Sequence, residues 1–445
     1  MKIGLVTIQR SGKCTLKDMA GGFGTTFDVG DSPGAFLLEY AKKFIANVPD
    51  LGLPYLAAVL RKAGHEVIIF HNTHPPGCDL YLVQSSIVEC VNERAAGESI
   101  LKGGGRVGFF GRFASEVPDY FSKAGNFAIR GEPENLPAGT DLAGLSGIVD
   151  AGLVKDLDAL PFPDWDGFPL EKYRYRIIGT GGAALPVQAS RGCPMHCNYC
   201  PYKVNNPFRV RNPAAVVEEI ARLSIKYGVK SIVFRDPDFT FNIPRLHELL
   251  TLIIGKKLKG ISYYIEGRTD GVDRETVELM ARAGIASWEI GIETPSRETL
   301  LKHGRNAPDI GRQEQIIRWC RRLGIRVVGN YMIGFPEDTE ESILSVVSLA
   351  KKLNTFAVQF TVCTPYPGTE FFDEVRDEIL TDKWEEFTGW NNVYRHPVLS
   401  PARLAALRER AYLEYHYRLS YVLSVARDVL GGSFARRGNR TGRSS

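Results

Sequence analysis

Three cysteines, Cys193, Cys197 and Cys200, stand in one short stretch, Arg191-Gly-Cys-Pro-Met-His-Cys-Asn-Tyr-Cys-Pro201. Thiolates bind soft metals, and their number decides what the metal can do. A closed structural zinc site takes four ligands, whereas a cluster held by three thiolates keeps one iron open to a substrate or cofactor. A zinc site completed by His196 or by a distant cysteine is the competing reading. The other five cysteines, Cys14, Cys78, Cys90, Cys320 and Cys363, share no spacing and read as small core thiols in a reducing compartment. Further along the chain, Asp236 and Asp238 stand in Arg235-Asp-Pro-Asp-Phe-Thr240, and Arg268 and Gly291-Ile-Glu293 follow. Two turn-rich stretches come next, Gly334-Phe-Pro-Glu-Asp-Thr339 and Thr364-Pro-Tyr-Pro-Gly-Thr369. A rim ion pair between Glu293 and Arg268, and turn or helix capping by the two aspartates, are their structural alternatives.

All these groups fall at one point of a repeating pattern. Apolar runs at 185–189, 231–234, 261–265, 287–292, 326–332 and 357–361 alternate with helical periodicity, which predicts six β/α units. The cysteine loop directly follows the first run. In parallel β/α folds the loops at the strand C-terminal ends form the site, because helix N-termini and free backbone groups converge there. In the first half, runs at 2–7, 66–70, 80–84, 106–110 and 127–129, with a helix over 53–63 stopped by Gly64, predict a second α/β unit. Between them periodicity fades, and Pro161, Pro163, Asp164, Trp165, Asp166, Gly167 and Pro169 mark a linker.

The expected fold is therefore α/β. A doubly wound, Rossmann-like parallel sheet occupies 1–135, a linker 136–180, and a (β/α)6 partial TIM barrel 181–372. An aromatic-rich helical segment follows over 373–445, with Trp384, Phe387, Trp390 and Tyr394 ahead of a helix over 401–430. A disordered basic tail carries Arg436, Arg437, Arg440 and Arg443. The 445 residues, 44% hydrophobic and 24% charged, have the composition of a soluble globular protein. A net charge of +4 and the lack of an RNA-binding appendage argue against a nucleic-acid substrate. The start of the chain reads as a buried strand rather than a signal peptide, and no apolar run is long enough to span a bilayer, so a cytoplasmic protein is expected.

The cysteine spacing, together with the loops that follow in order, resembles the radical S-adenosylmethionine (SAM) enzymes over roughly residues 185–372. In that family three thiolates hold three irons of a four-iron, four-sulfur cluster, and SAM chelates the fourth. An electron from the cluster then splits SAM and releases a deoxyadenosyl radical. The resemblance implies that Cys193, Cys197 and Cys200 ligate the cluster. It implies that Tyr199, Asp236, Arg268, Gly291, Glu293, Gly334, Thr364 and Pro365 contact SAM. An electron donor such as a flavodoxin or ferredoxin would act with it.

The first half resembles the cobalamin-binding domain that precedes the barrel in one large class of these enzymes, which includes methyltransferases and lipid- and tetrapyrrole-modifying members. The matching pieces are the run 51–67, the strand Leu82-Val-Gln-Ser-Ser86 and Gly131-Glu-Pro-Glu134. The resemblance implies corrin contacts from Ser85, Gly108, Gly111 and Glu132. Two departures stand beside it. The loop after Thr7 holds Arg10, Ser11, Gly12, Lys13 and Cys14 but no histidine to ligate cobalt, and His74 follows the second strand instead. Phe110 also occupies a position where the class has glycine. The resemblance implies methylation of an unactivated carbon of a small-molecule, lipid or natural-product substrate. The alternative keeps the radical step without a corrin and makes a bond, ring or rearrangement.

Overall fold

The computed structural model describes residues 1–9, 14–137, 139–176, 182–306 and 308–423. Arg10, Ser11, Gly12 and Lys13, the four arginines of the expected tail and residues 424–430 of the expected last helix lie outside the described residues.

The first sheet is wholly parallel and six-stranded. Its strands lie in the spatial order Glu66–His71, Lys2–Thr7, Leu80–Gln84, Val107–Phe110, Phe127–Gly131 and Gly147–Gly152. Numbered along the chain this is 2-1-3-4-5-6, so the direction of winding reverses between Lys2–Thr7 and Leu80–Gln84. Ligands of doubly wound sheets bind in the crevice at that reversal. The helix Gly52–Lys62 covers one face with Leu53, Leu56, Ala57 and Leu60 buried, and the Asp50 carboxylate accepts from the Gly52 amide at 2.6 Å to start it.

The sixth strand, Gly147–Gly152, lies inside the stretch that reads as linker. Only Ala151 of its Gly-Ile-Val-Asp-Ala-Gly is buried, so this edge strand carries no alternation for a pattern to reveal. The rest of that stretch is packed rather than loose. Trp165 is fully buried, edge-on to Phe168 at 5.2 Å and to Tyr173 at 6.5 Å, within a hydrophobic cluster that joins the two sheets.

The second sheet is also parallel, and its strands run in chain order: Ala184–Val187, Ser231–Phe234, Ser262–Gly267, Ile285–Glu293, Arg326–Ile333 and Ala357–Val362. No pairing joins first strand to last among the described residues, which makes it a partial barrel. The helix Pro401–His416 packs along the last strand. There the Tyr412 hydroxyl accepts from the Phe360 amide at 3.0 Å, and the Tyr415 hydroxyl donates to the Thr355 carbonyl at 2.5 Å. Leu404, Leu407 and Ala411 complete its buried face. Phe387 is buried in the core of the first unit with Trp384 packed against that core, while Trp390 packs edge-on against Phe27.

An antiparallel hairpin, Cys14–Leu16 with Thr25–Phe27, reaches from the first unit to the barrel. Its Thr25 hydroxyl donates to the Thr388 carbonyl at 2.6 Å, and Asp18 in its turn pairs with Arg235 at 2.8 Å. Arg191, beside the cysteine loop, completes the joint by pairing with Glu132 at 3.1 Å and Glu134 at 3.0 Å across the units.

Candidate active site

Cys193, Cys197 and Cys200 follow the first barrel strand and line one cavity of about 160 Å³ at the C-terminal end of the sheet. Their loop is braced from below. Asn198 receives the Phe371 amide on its carbonyl, its own amide donates to the His303 carbonyl, and its side chain meets His303 Nδ1 at 3.0 Å. All three thiols are free, and burial pushes Cys193 up to about 11 and Cys200 higher still. Loading a metal there therefore displaces protons. Among the described residues no three His, Cys, Asp or Glu side chains converge on a single-ion site, which a mononuclear zinc would require. The three-thiol donor set and the cavity it opens on fit a cluster.

The opposite wall comes from the middle strands. Gly291 and Glu293 sit at a register shift against the next strand, and Glu293 takes a left-handed backbone with φ of 63°. That conformation costs a non-glycine residue on the order of 1–3 kcal/mol and marks a site under constraint. Arg305 explains the constraint: its Nη2 donates to the Gly291 carbonyl at 2.7 Å and lies 3.3 Å from the Glu293 carboxylate. A Cβ on Gly291 would stand 2.7 Å from that same nitrogen, so a larger residue there would push the guanidinium aside. Burial pushes the Glu293 carboxyl upward, opposed by Arg305 and Arg268. Arg268 gives Nε to Asp270 at 2.7 Å and Nη2 to the Asn306 carbonyl. Its Nη1, Arg305 Nε and Asn330 Oδ1 are buried without hydrogen-bond partners on residues lining the cavity. Unpartnered buried polar atoms are rare and costly, and here they suit the carboxylate and ammonium of an amino acid.

Of the residues expected at SAM, the structure brings Arg268, Gly291 and Glu293 to this cavity together with the cysteines. It does not bring the others there. Asp236 is turned away, accepting from the Ala189 amide at 3.0 Å and the Ser190 hydroxyl at 2.5 Å, so it fixes the start of the cysteine loop. Its neighbour Asp238 does line the cavity, holding the Thr240 hydroxyl at 2.9 Å. Tyr199 packs behind the loop against Phe335 and His303. Gly334 offers its carbonyl to the Tyr394 hydroxyl at 2.6 Å, and Thr364 donates to the Val362 carbonyl with Pro365 beside it; none of the three lines the cavity. Arg305, Asn330, Glu266 and Glu289 line it without having been singled out in the sequence. Arg305 alone had a usable signal, an arginine shortly after Gly291-Ile-Glu293.

A second cavity, of about 200 Å³, lies in the crevice at the winding reversal of the first sheet and is closed by the barrel's Gln188, Arg191, Tyr202 and Arg235. Six glycines line it: Gly21, Gly22, Gly52, Gly111, Gly131 and Gly192. Ser85, Gly111 and Glu132 are among its walls; Gly108 is not, because it faces the Phe127 ring inside the sheet. Gly111 has φ of 118° and a Cβ there would meet the Ser85 carbonyl at 2.9 Å, so the strand can turn at this point only on glycine. Burial raises the Glu132 carboxyl, but the hydrogen bonds from Arg209 and the charges of Arg191 and Arg209 outweigh it and hold the group below the usual range. Tyr202 and Pro237 line both cavities and so stand between them. His74 lines neither.

Comparison with known proteins agrees with this geometry. Residues 187–350 match the model of the Radical SAM superfamily. An uncharacterized methyltransferase of Pyrococcus horikoshii is 26% identical over 394 residues, covering 83% of this chain and 82% of the relative. Hopanoid C-3 methylase of Methylococcus capsulatus is 25% identical, over 90% of this chain and 82% of its own length. Among solved structures, the radical SAM methyltransferase TsrM of Kitasatospora setae, with cobalamin and a 4Fe-4S cluster bound, superposes with a TM-score of 0.61. It is 17% identical and covers 93% of this chain and 85% of that one. The cobalamin-dependent radical enzyme OxsB, with aqua-cobalamin and SAM bound, gives 0.64 at 12% identity over 94% of this chain and 67% of that one. The three-thiol loop, the constrained glutamate facing it and these matches show an enzyme with a Radical SAM domain over residues 187–350, and that domain implies a four-iron, four-sulfur cluster and SAM as cofactors.

Proposed function

We propose that the chain is a cobalamin-dependent methyltransferase acting on an unactivated carbon of a small, apolar or amphipathic molecule. The observation that carries this reading is the pair of adjoining cavities, one lined by the three thiols and one by glycines, with Tyr202 and Pro237 common to both. The glycine-lined crevice suits a flat macrocycle lying against backbone. Arg112 on its wall is half-buried with its Nε buried and unpartnered, a donor available to a corrin amide. When bound, the cluster and SAM supply a radical that takes hydrogen from carbon, and cobalamin supplies a methyl carrier.

The chain's own residues do the positioning. Three thiolates leave one iron free; Arg268 and Arg305 offer cationic donors to the SAM carboxylate, and Glu293 offers an acceptor to its ammonium. Asp236 fixes the loop on which the thiols stand, and the Arg191 pairs with Glu132 and Glu134 hold the two cavities in register. A one-electron donor of flavodoxin or ferredoxin type would reduce the cluster. The methyltransferase names of relatives covering most of this chain support methyl transfer.

A second reading, radical chemistry without a corrin, is favoured by Phe110. It lines the crevice, and the loop directly after Thr7 holds no histidine. Anaerobic reconstitution with iron, sulfide and hydroxocobalamin separates the two. Retained corrin absorbance with both deoxyadenosine and S-adenosylhomocysteine as products is expected. A corrin-free protein that still forms deoxyadenosine would move the assignment to the second reading.

A further inference from the structure

The helix Pro33–Ile45 turns an apolar face to solvent. Phe36 is 68% exposed, Leu37 56%, Tyr40 53% and Phe44 45%, and Ala41 lies on the same side. The rings form a ladder at i, i+4 spacing, with centroids 6.4 Å apart for Phe36 and Tyr40 and 4.9 Å for Tyr40 and Phe44. Three adjacent large aromatic side chains in water are a cost that a surface helix with no ligand would shed. The polar side of the helix faces inward instead: Glu39 accepts from the Val29 amide at 2.7 Å, and Lys42 lies over the Phe27 ring at 5.3 Å.

The patch does not end with the helix. The Tyr417 hydroxyl donates to the Gly34 carbonyl at 3.0 Å, which sets the segment after the last helix beside it. There Leu419 is 73% exposed, and Val422 and Leu423 are also exposed. The chain continues from Leu423 for 22 residues that contain five arginines, Arg427, Arg436, Arg437, Arg440 and Arg443, against the single acidic Asp428. Lys43 flanks the aromatic ladder, exposed. No helix among the described residues is long and apolar enough to cross a membrane.

Apolar rings rimmed by lysine, with a basic stretch running on from the same patch, are the combination that holds a protein on an anionic bilayer surface. The rings enter the headgroup–acyl boundary and the cations pair with lipid phosphates. We propose that this face, Phe36, Leu37, Tyr40 and Phe44 with Leu419, Val422 and Leu423, seats the enzyme on an anionic lipid bilayer. The seat depends on neither the corrin nor the reaction.

The test is cosedimentation of the full-length, cluster-loaded protein with vesicles of phosphatidylcholine alone and of phosphatidylcholine mixed equally with phosphatidylglycerol. The native chain partitions onto the mixed vesicles and much less onto the neutral ones. The double substitution Phe36→Glu and Phe44→Glu lowers that partition by about tenfold or more while iron content and deoxyadenosine formation stay unchanged. If that variant loses its circular dichroism signal, the milder pair Tyr40→Ser and Phe44→Ser replaces it. Three results would overturn the proposal: native protein left in the supernatant, equal binding to both vesicle types, or equal binding by the substituted and native chains. A fourth is a dimer mass by light scattering that falls to monomer in the variant, which would assign the face to a second copy of the chain.

Discussion

The two cavities meet at Tyr202 and Pro237 yet are built on opposite plans. The cavity in the barrel is made of side chains: three thiols, with Arg268, Arg305 and Glu293 each held by a named partner and both arginines left one bond short. The crevice in the first sheet sets six glycines beside two ion-pair groups, Arg191 with Glu132 and Glu134 and Arg235 with Asp18. A site that must hold a metal and an amino acid needs charge at fixed points, and charge at fixed points requires particular residue types. A site that accepts a large flat ring needs absence of side chains, and many sequences provide that. The first plan depends on residue type at each point, whereas the second depends on keeping its glycine positions free of side chains.

The sharpest way to break this contrast is Cys197→Ala. Loss of one of three thiolates should abolish deoxyadenosine formation, measured by chromatography under reductant. The corrin retained in the neighbouring crevice should be unchanged. Simultaneous loss of both would mean that the cavities assemble as one unit. The mirror experiment is Gly111→Val, which forces a β-branched residue to φ of 118° and against the Ser85 carbonyl. Strain on the order of 1–3 kcal/mol should empty the crevice of corrin, while the iron content and reductive cleavage of SAM persist.

Within the barrel cavity, Arg305→Met should raise the SAM KM roughly 10- to 100-fold, the loss expected for charge-assisted hydrogen bonds. Steady-state deoxyadenosine formation measures it. The cluster's absorbance should not change, because Arg305 would hold the ligand rather than the metal. An unchanged KM would make Arg305 and Glu293 a structural ion pair only.

The same difference in plan decides what could be read from the sequence. The cysteine loop, Arg268 and Gly291-Ile-Glu293 were legible because each is a rare residue type at a strand end. Asn330 was not, since it reaches the cavity only through the pairing of the fifth barrel strand, while Arg305 left the weaker signal of an arginine shortly after Glu293. Asp236 misled for a physical reason: at a strand end, a buried aspartate can serve a ligand or the adjacent backbone with the same sequence signature, and here Ala189 and Ser190 take both its oxygens. In the first sheet, the run containing Leu82 to Ser86 located Ser85, but Gly108 and Gly111 look alike in sequence. Gly108 lies inside the strand Val107–Phe110 and faces the Phe127 ring, whereas Gly111 stands just past its end, where φ of 118° turns the chain at the crevice. The edge strand Gly147–Gly152 left no trace, having one buried side chain in six.

Two carboxylates carry the contrast into pH dependence. Glu132, in the crevice, is held below its ordinary range by Arg209 and Arg191, so its contribution to stability is present at neutral pH and lost as pH falls. Asp236, under the cysteine loop, is pushed up to about 6 by burial, which the Ala189 amide and the Ser190 hydroxyl offset only in part. Between pH 4 and 6 the folded chain therefore binds more protons at Asp236 than the unfolded chain does. Stability from this group is full below the unfolded pKa and declines as pH rises through 6, by at most about 3 kcal/mol. Denaturant unfolding of native protein and of Asp236→Asn across pH 4 to 7 isolates it. The native-minus-variant stability difference should shrink as pH rises and level off above 6, whereas Glu132→Gln should give a difference that rises with pH only up to the unfolded glutamate value of 4.5 and is level beyond it. Slopes of the same sign in both variants would mean that the two cavities are not charged on opposite plans.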